Sequence, residues 1–408
     1  MPNDTGPTEQ MATADFETEV KPANRVGHRR GLLIWAAIFW MVPLLVISVM
    51  VVLAPLKRTV TPLYHEAAQN WWAGQNLYQG PSGMNYLPHF AILFSPFHAL
   101  PAPWGDVLWR VFAAGLLGSG LWRVTRSQFD SDWQVPFLWA SVISLPLCMG
   151  ALRNGQANAL FAGLTLHAAA CLPRQQWWGA ATLLALALAV KPLGIVLMGL
   201  AAVVYPPLRW RVLVSLLALG LVPFLFARPA YVLAQHRGLI GNLQACAVVT
   251  EHRFADINGI VRTFGGELPP NVSKGVRLSA GALVLGLCWL GAKRIGEPLR
   301  ASWLHALAVS YLMLFNPMNE ANSYVILAPA LGIWAVYFLY QTPARWLGKT
   351  IVFFALSMGL LPNLVRPVFK NYFALVWHPV MTLLFLGLLI CYFWQRKASV
   401  QPAPAWKE

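Results

Sequence analysis

An all-α, polytopic integral membrane fold with about twelve transmembrane helices is what this sequence predicts, on three observations. The chain of 408 residues is 57% hydrophobic and only 11% charged, whereas soluble domains carry about a quarter charged residues. Its apolar runs recur at lengths that reach or approach the roughly 20 residues needed to cross a bilayer. The Lys and Arg behind the net charge of +15 fall mostly in short loops between those runs. There the positive-inside rule accounts for them, and no nucleic-acid partner is implied. Cys148, Cys171, Cys246, Cys288 and Cys391 lack metal-ligand spacing and read as small apolar packing residues.

Residues 1–30 read as a polar cytoplasmic tail, 31–396 as one transmembrane domain and 397–408 as a second cytoplasmic tail. The first apolar run is long enough to span, so no cleavable signal peptide is expected. Arg25, His28, Arg29 and Arg30 precede the first span, 31–54, placing the N-terminus in the cytoplasm and the next loop outside. Alternation then gives spans at 104–124, 134–152, 157–173, 177–190, 192–208, 212–230, 278–292, 302–315, 323–340, 351–362 and 373–394. Both termini fall inside, and a long polar loop, 231–277, falls outside. The Pro-bounded run 88–101 is too short to cross and reads as interfacial or re-entrant. Loops rich in Asn, Gln, Glu and His collect on the outer side.

Five outer constellations carry the polar chemistry. In Thr61–Leu100, Thr61 can cap a helix, Pro62 suits its first turn and Gly74 its C-terminal stop. That helix presents Glu66 and Asn70 on one face with His65 beside them, and Glu66 is the only acid between Glu19 and Asp106. Trp71, Trp72 and Tyr78 read as interfacial anchors. In ALRNGQANAL, Asn154, Gln156 and Asn158 flank Gly155 after Arg153, offering amides to hydroxyls or phosphate. Lys191-Pro192 interrupts a long apolar stretch, and such a cation costs a few kcal/mol unless a partner or an anionic ligand meets it. The long loop holds Glu251, His252, Arg253, Asp256, Asn258 and Arg262, where arginines can grip phosphate. The fifth, FNPMNEANS, brings Asn316, Asn319, Glu320 and Asn322, a mixture suited to sugar hydroxyls.

YHEAAQNWWAGQNLY, NYLPHFAILFSPFHALP, NGQANAL, Lys191-Pro192 and FNPMNEANSYVILAP, in that order and spacing, resemble glycosyltransferase family 87. The resemblance covers roughly residues 31–340. It implies a GT-C-like fold with interfacial helices in the first outer loop. The activity it implies is inverting transfer of a hexose, mannose above all, from a polyprenyl-phosphate donor to a glycan or lipid acceptor outside the membrane. It also implies a catalytic Asp shortly before the first-loop helix, where this chain has KRTVTPL and no acid. Glu66 takes the role, or Asp256 or Glu251 supplies it, or transfer has been lost. Our reading assigns Glu66, His65 and Asp256 to catalysis, and Lys191, Arg153, Arg253 and Arg262 to the donor phosphate. Asn70, Asn154, Gln156, Asn158, Asn316, Glu320 and Asn322 are assigned to sugar and acceptor, with no cofactor and no metal. The alternative is a transporter or flippase for a lipid-linked or anionic solute.

Overall fold

The computed structural model describes residues 22–78, 84–129, 132–247 and 253–395, which are helical throughout with no strand among them. In order the helices are α1 (Pro22–Leu53), α2 (Thr61–Trp72), α3 (Pro88–His98), α4 (Trp104–Gln128), α5 (Gln134–Asn154), α6 (Asn158–Cys171) and α7 (Trp177–Val190). Then come α8 (Gly194–Val204), α9 (Leu208–Leu221), α10 (Pro229–Ala247), α11 (Ile257–Thr263), α12 (Pro270–Arg294) and α13 (Leu299–Phe315). The last four are α14 (Ala328–Gln341), α15 (Arg345–Leu364), α16 (Arg366–Phe369) and α17 (Tyr372–Gln395).

A helix covers each of the expected spans, and six stretches are long and apolar enough to cross a membrane by length and composition. These are Arg29–Leu53, Gln134–Asn154, Leu208–Leu225, Pro270–Arg294, Arg345–Leu364 and Tyr372–Gln395, whereas α6, α7, α8 and α13 are apolar but shorter. Residues 22–30, expected in the N-terminal tail, already belong to α1.

Burial sorts the bundle into an inner and an outer set. Nearly every side chain of α6, α13 and α14 is buried, so these helices are apolar around their whole circumference and form the core. In contrast, α1, α9 and α12 expose large apolar side chains such as Leu45, Leu217 and Leu283, the composition of a face meant for lipid. The tightest seam runs between α4 and α6. A Cβ on Gly163 would lie 2.8 Å from the Leu116 carbonyl carbon and the Leu117 nitrogen, and one on Gly120 would lie 3.0 Å from the Gly163 oxygen. Two backbones meet there because neither residue has a side chain.

Several local expectations are corrected. The long polar loop is largely helical, because α10, α11 and the start of α12 fill it. The polar side chains of α10 are spent on the first loop: Gln235 accepts from the Leu77 N–H at 2.9 Å, and Asn242 donates to Asn85 at 2.6 Å. Thr61 does not cap α2, whose N-cap is Val60. Its hydroxyl bonds Asp106 instead, at 2.9 Å. Gly74 does stop the helix, in the left-handed region at φ 69°. Trp71 and Tyr78 are buried rather than interfacial, leaving Trp72 exposed. The 88–101 run contains α3, 11 residues long, which is about 16 Å and half a bilayer.

Candidate active site

Breaks between helices put the polar residues in one place. Helix α5 ends at Gly155, whose φ of 67° allows the chain to reverse into α6. A Cβ there would meet Thr61 Cγ2 at 2.8 Å and the Arg110 guanidinium at 2.9 Å, so glycine is also what lets α2 dock. The Val60 N–H donates to the Asn154 carbonyl at 3.0 Å and Trp109 Nε1 donates to the Gly155 carbonyl at 2.8 Å, fixing this turn against the first loop. Helix α7 breaks at Lys191, which is extended at φ −146°, ψ 133°, because Pro192 cannot continue the hydrogen-bond ladder. The α13–α14 connection supplies Glu320, also extended.

These breaks converge at one end of the bundle. Asn158 Nδ2 donates to Gln156 Oε1 at 2.9 Å, and Gln156 Nε2 donates to Glu320 Oε2 at 3.0 Å. The Tyr64 hydroxyl pairs with the Tyr86 hydroxyl at 3.0 Å and accepts from the Ala157 N–H at 3.1 Å. The Lys191 ammonium lies 5.6 Å from the centre of the Tyr86 ring. Glu320 is within Coulombic reach of Lys191, Tyr64 and Tyr86, yet no ion pair closes between Glu320 and Lys191. Asn158 is 2% exposed, and its Oδ1 has no hydrogen-bond partner among the described residues. A cation facing a carboxylate across a gap, with an orphaned amide oxygen beside them, is an arrangement that a polar anionic ligand completes.

The remaining predicted residues divide. Glu66 is on the exposed side of α2, away from this cluster. His65 turns toward α3 and α4, where Nε2 meets Asp106 Oδ1 at 3.0 Å and Nδ1 meets His98 Nδ1 at 3.0 Å. A carboxylate can only accept, so His65 donates from Nε2 to Asp106, and the Nδ1 atoms of His65 and His98 share one proton between them. Burial, then His65, hold His98 below the usual imidazole range. Asp106 is 6% exposed and binds both His65 and Thr61, making it the anchor of α2. Asn154 and Arg153 take part through their carbonyls, which accept from Val60 and Arg110. The carbonyl of Asn70 accepts from the Tyr231 hydroxyl at 3.4 Å. Asn316 donates to Asn319 Oδ1 at 2.8 Å, while Asn322 Oδ1 packs over Gly150. Arg253 stacks on the Phe254 ring at 5.1 Å and Arg262 ends α11 beside Asp256. Glu251 and His252 lie outside the described residues.

Asp256 caps α11, accepting from the Gly259 N–H at 2.7 Å. Burial pushes its carboxyl up to about 6, outweighing the Gly259 hydrogen bond and the nearby arginines. An acid whose folded pKa exceeds its unfolded value near 4 favours the folded state when protonated, so that stability is present at low pH and fades as pH rises through 6. Asp256→Asn keeps a capping oxygen and removes the titration. Wild type is therefore expected to be about 1 kcal/mol more stable at pH 5 than at pH 7 from this group, a gap that Asp256→Asn erases in detergent unfolding curves.

Sequence reasoning missed Asp106, Tyr64 and Tyr86. For Asp106 a signal existed, since Asp106 and Arg110 are charges one turn apart at the start of an otherwise apolar helix.

No curated protein and no solved structure matches the chain. The sequence model of Glycosyltransferase family 87 matches residues 85–318, more than half of its length. That match takes in Tyr86, Gln156, Asn158 and Lys191 and stops just short of Glu320. With apolar helices on this scale and a match of this extent, the chain is a membrane glycosyltransferase and belongs to glycosyltransferase family 87.

Proposed function

We propose that this enzyme transfers a hexose, mannose first among candidates, from a polyprenyl-phosphate donor to a glycan or lipid acceptor at the extracytoplasmic face of a bacterial-type plasma membrane. The observation that carries this reading is Lys191. Its ammonium has neither a hydrogen bond nor an ion pair among the described residues, at a break between two apolar helices, and it lies within Coulombic reach of Glu320, whose carboxylate is held by the amides of Gln156 and Asn158. An unpaired cation at such depth costs a few kcal/mol, which a bound phosphate repays. As the bond between sugar and phosphate breaks, negative charge grows on the phosphate oxygen, and a preorganised ammonium stabilises it. The orphaned Asn158 amide oxygen and the paired tyrosine hydroxyls suit the sugar.

Charge supports the sidedness. The helix ends opposite the cluster carry Arg123, Arg126, Arg174, Arg209, Arg211, Lys293 and Arg294, which under the positive-inside rule favours a cytoplasmic position for that end and both termini, while basic residues at the cluster end such as Arg153 and Arg253 are read as serving an anionic ligand. A transporter would carry its ligand-binding polar groups at mid-depth along several helices, whereas here the amides, carboxylate and ammonium of the cluster gather at one end. The test is transfer of radiolabelled mannose from polyprenyl-phosphate-mannose in membranes containing this chain. Donor-dependent product, absent from membranes without the chain, is expected. No product from folded protein with several polyprenyl-phosphate sugars overturns the reading.

A further inference from the structure

We propose that Glu320 is the general base of the transfer, in the place of the acid that the first loop lacks. The inference rests on the donor-phosphate reading of Lys191 above. Five other carboxylates reach this end of the bundle, and four are committed elsewhere or exposed. Glu66 is exposed on the outer side of α2, and Glu267 is exposed between α11 and α12. Asp256 is 2% exposed and holds the N-terminus of α11 through the Gly259 N–H. Asp106 is bound by Thr61 and His65 and anchors α2. The fifth, Glu251, lies outside the described residues.

Glu320 differs from the four described ones in three ways. Oε2 is fixed by Gln156, itself fixed by Asn158, whereas Oε1 has no partner among the described residues. A carboxylate with one oxygen held and the other open is oriented and still able to take a proton. It also sits across a gap from Lys191, close enough to feel its charge and too far to pair with it. Finally, the backbone around it is braced: the Glu320 carbonyl accepts from the Ser323 N–H at 2.8 Å, and Asn319 is tied to the Leu312 and Met313 carbonyls of α13.

The step balances as follows. An acceptor hydroxyl gives its proton to Glu320 Oε1 as its oxygen bonds to the anomeric carbon of the donor sugar. The bond from that carbon to the phosphate oxygen breaks on the opposite face, and its electron pair leaves on the lipid phosphate beside Lys191. The anomeric configuration inverts, and the Glu320 proton passes to water after product leaves. Attack from the Glu320 side and departure toward the Lys191 side require the sugar to lie between the two groups, which are near enough to feel each other's charge and do not pair.

The experiment uses full-length protein in detergent or membranes, with polyprenyl-phosphate-mannose as donor and azide as a second nucleophile. Positioned general bases contribute about 10²–10⁴-fold, so Glu320→Gln should lose transfer by at least about 100-fold while still binding donor. Azide needs no deprotonation, so the same variant should form mannosyl azide of inverted configuration at a rate close to that of wild type with azide. Glu320→Asp, which keeps a carboxylate, should retain measurable transfer and covers the case in which the Gln variant misfolds. Transfer by Glu320→Gln within threefold of wild type overturns the assignment. So does a folded, donor-binding Glu320→Gln that makes neither product. Absence of transfer from wild type with every polyprenyl-phosphate sugar overturns the donor reading itself and the inference with it.

Discussion

Replacing Lys191 with Ala is expected to lower kcat/KM for the polyprenyl-phosphate donor by about 100-fold or more, the scale of losing one preorganised group that stabilises transition-state charge. Its ammonium makes no hydrogen bond or ion pair within the described residues, so the protein gives up the contact with the Tyr86 ring at 5.6 Å and the longer-range attraction of Glu320. Removing a half-buried cation should leave stability unchanged or slightly higher, which separates this variant from one that merely unfolds. Lys191→Arg keeps the charge on a broader, planar head and should recover part of the rate. Initial rates in matched membranes, with unfolding followed in detergent, check both halves. Turnover within threefold of wild type by the Ala variant would remove Lys191 from the donor site.

Gly163→Val has the other large expected effect, on folding. The α4–α6 seam brings backbone to backbone, and a Cβ at Gly163 would sit 2.8–2.9 Å from three main-chain atoms of Leu116 and Leu117. Main-chain atoms cannot swing aside as a long side chain does, so α6 must translate away from α4. Overpacking typically costs about 1–3 kcal/mol, and a β-branched side chain at a backbone contact belongs at or above the top of that range. Because α6 begins at Asn158, the shift also carries the Asn158–Gln156–Glu320 chain out of register. A drop of several degrees in the detergent melting temperature is expected, together with loss of transfer. Gly163→Ala should lie between the two. A Val variant that melts with wild type would show that the seam opens freely.

The sequence was most legible where polarity is costly. Lys191, Gln156, Asn158 and Glu320 stood out because each interrupts or terminates an apolar run, and the structure brings all four together. The same logic located a helix over every expected span, since burial in lipid demands long apolar segments. It failed where polar residues satisfy one another inside the fold. Gln235 and Asn242 read as loop residues, yet they are the inner face of α10 and hold the first loop down. Aromatic residues were equally ambiguous: Trp71, Trp72 and Tyr78 share the chemistry of a membrane belt, and only packing separates the exposed Trp72 from its buried neighbours. Glu66 was singled out as a solitary acid, but solitude along the chain says nothing about Asp106, which arrives from α4 to meet the residue next to it.

The cluster draws its members from segments far apart in the chain, and this governs when the enzyme can first exist. Tyr64, Gln156 and Lys191 are in place once α8 has entered the bilayer, whereas Glu320 arrives only after α13 has packed against α6 and α8. A nascent chain thus carries Lys191 for much of its synthesis without the carboxylate opposite. Under the assignment made above, such an intermediate can recruit a lipid-linked sugar but cannot spend it on water. Completion of the inner core and the onset of catalysis become the same event.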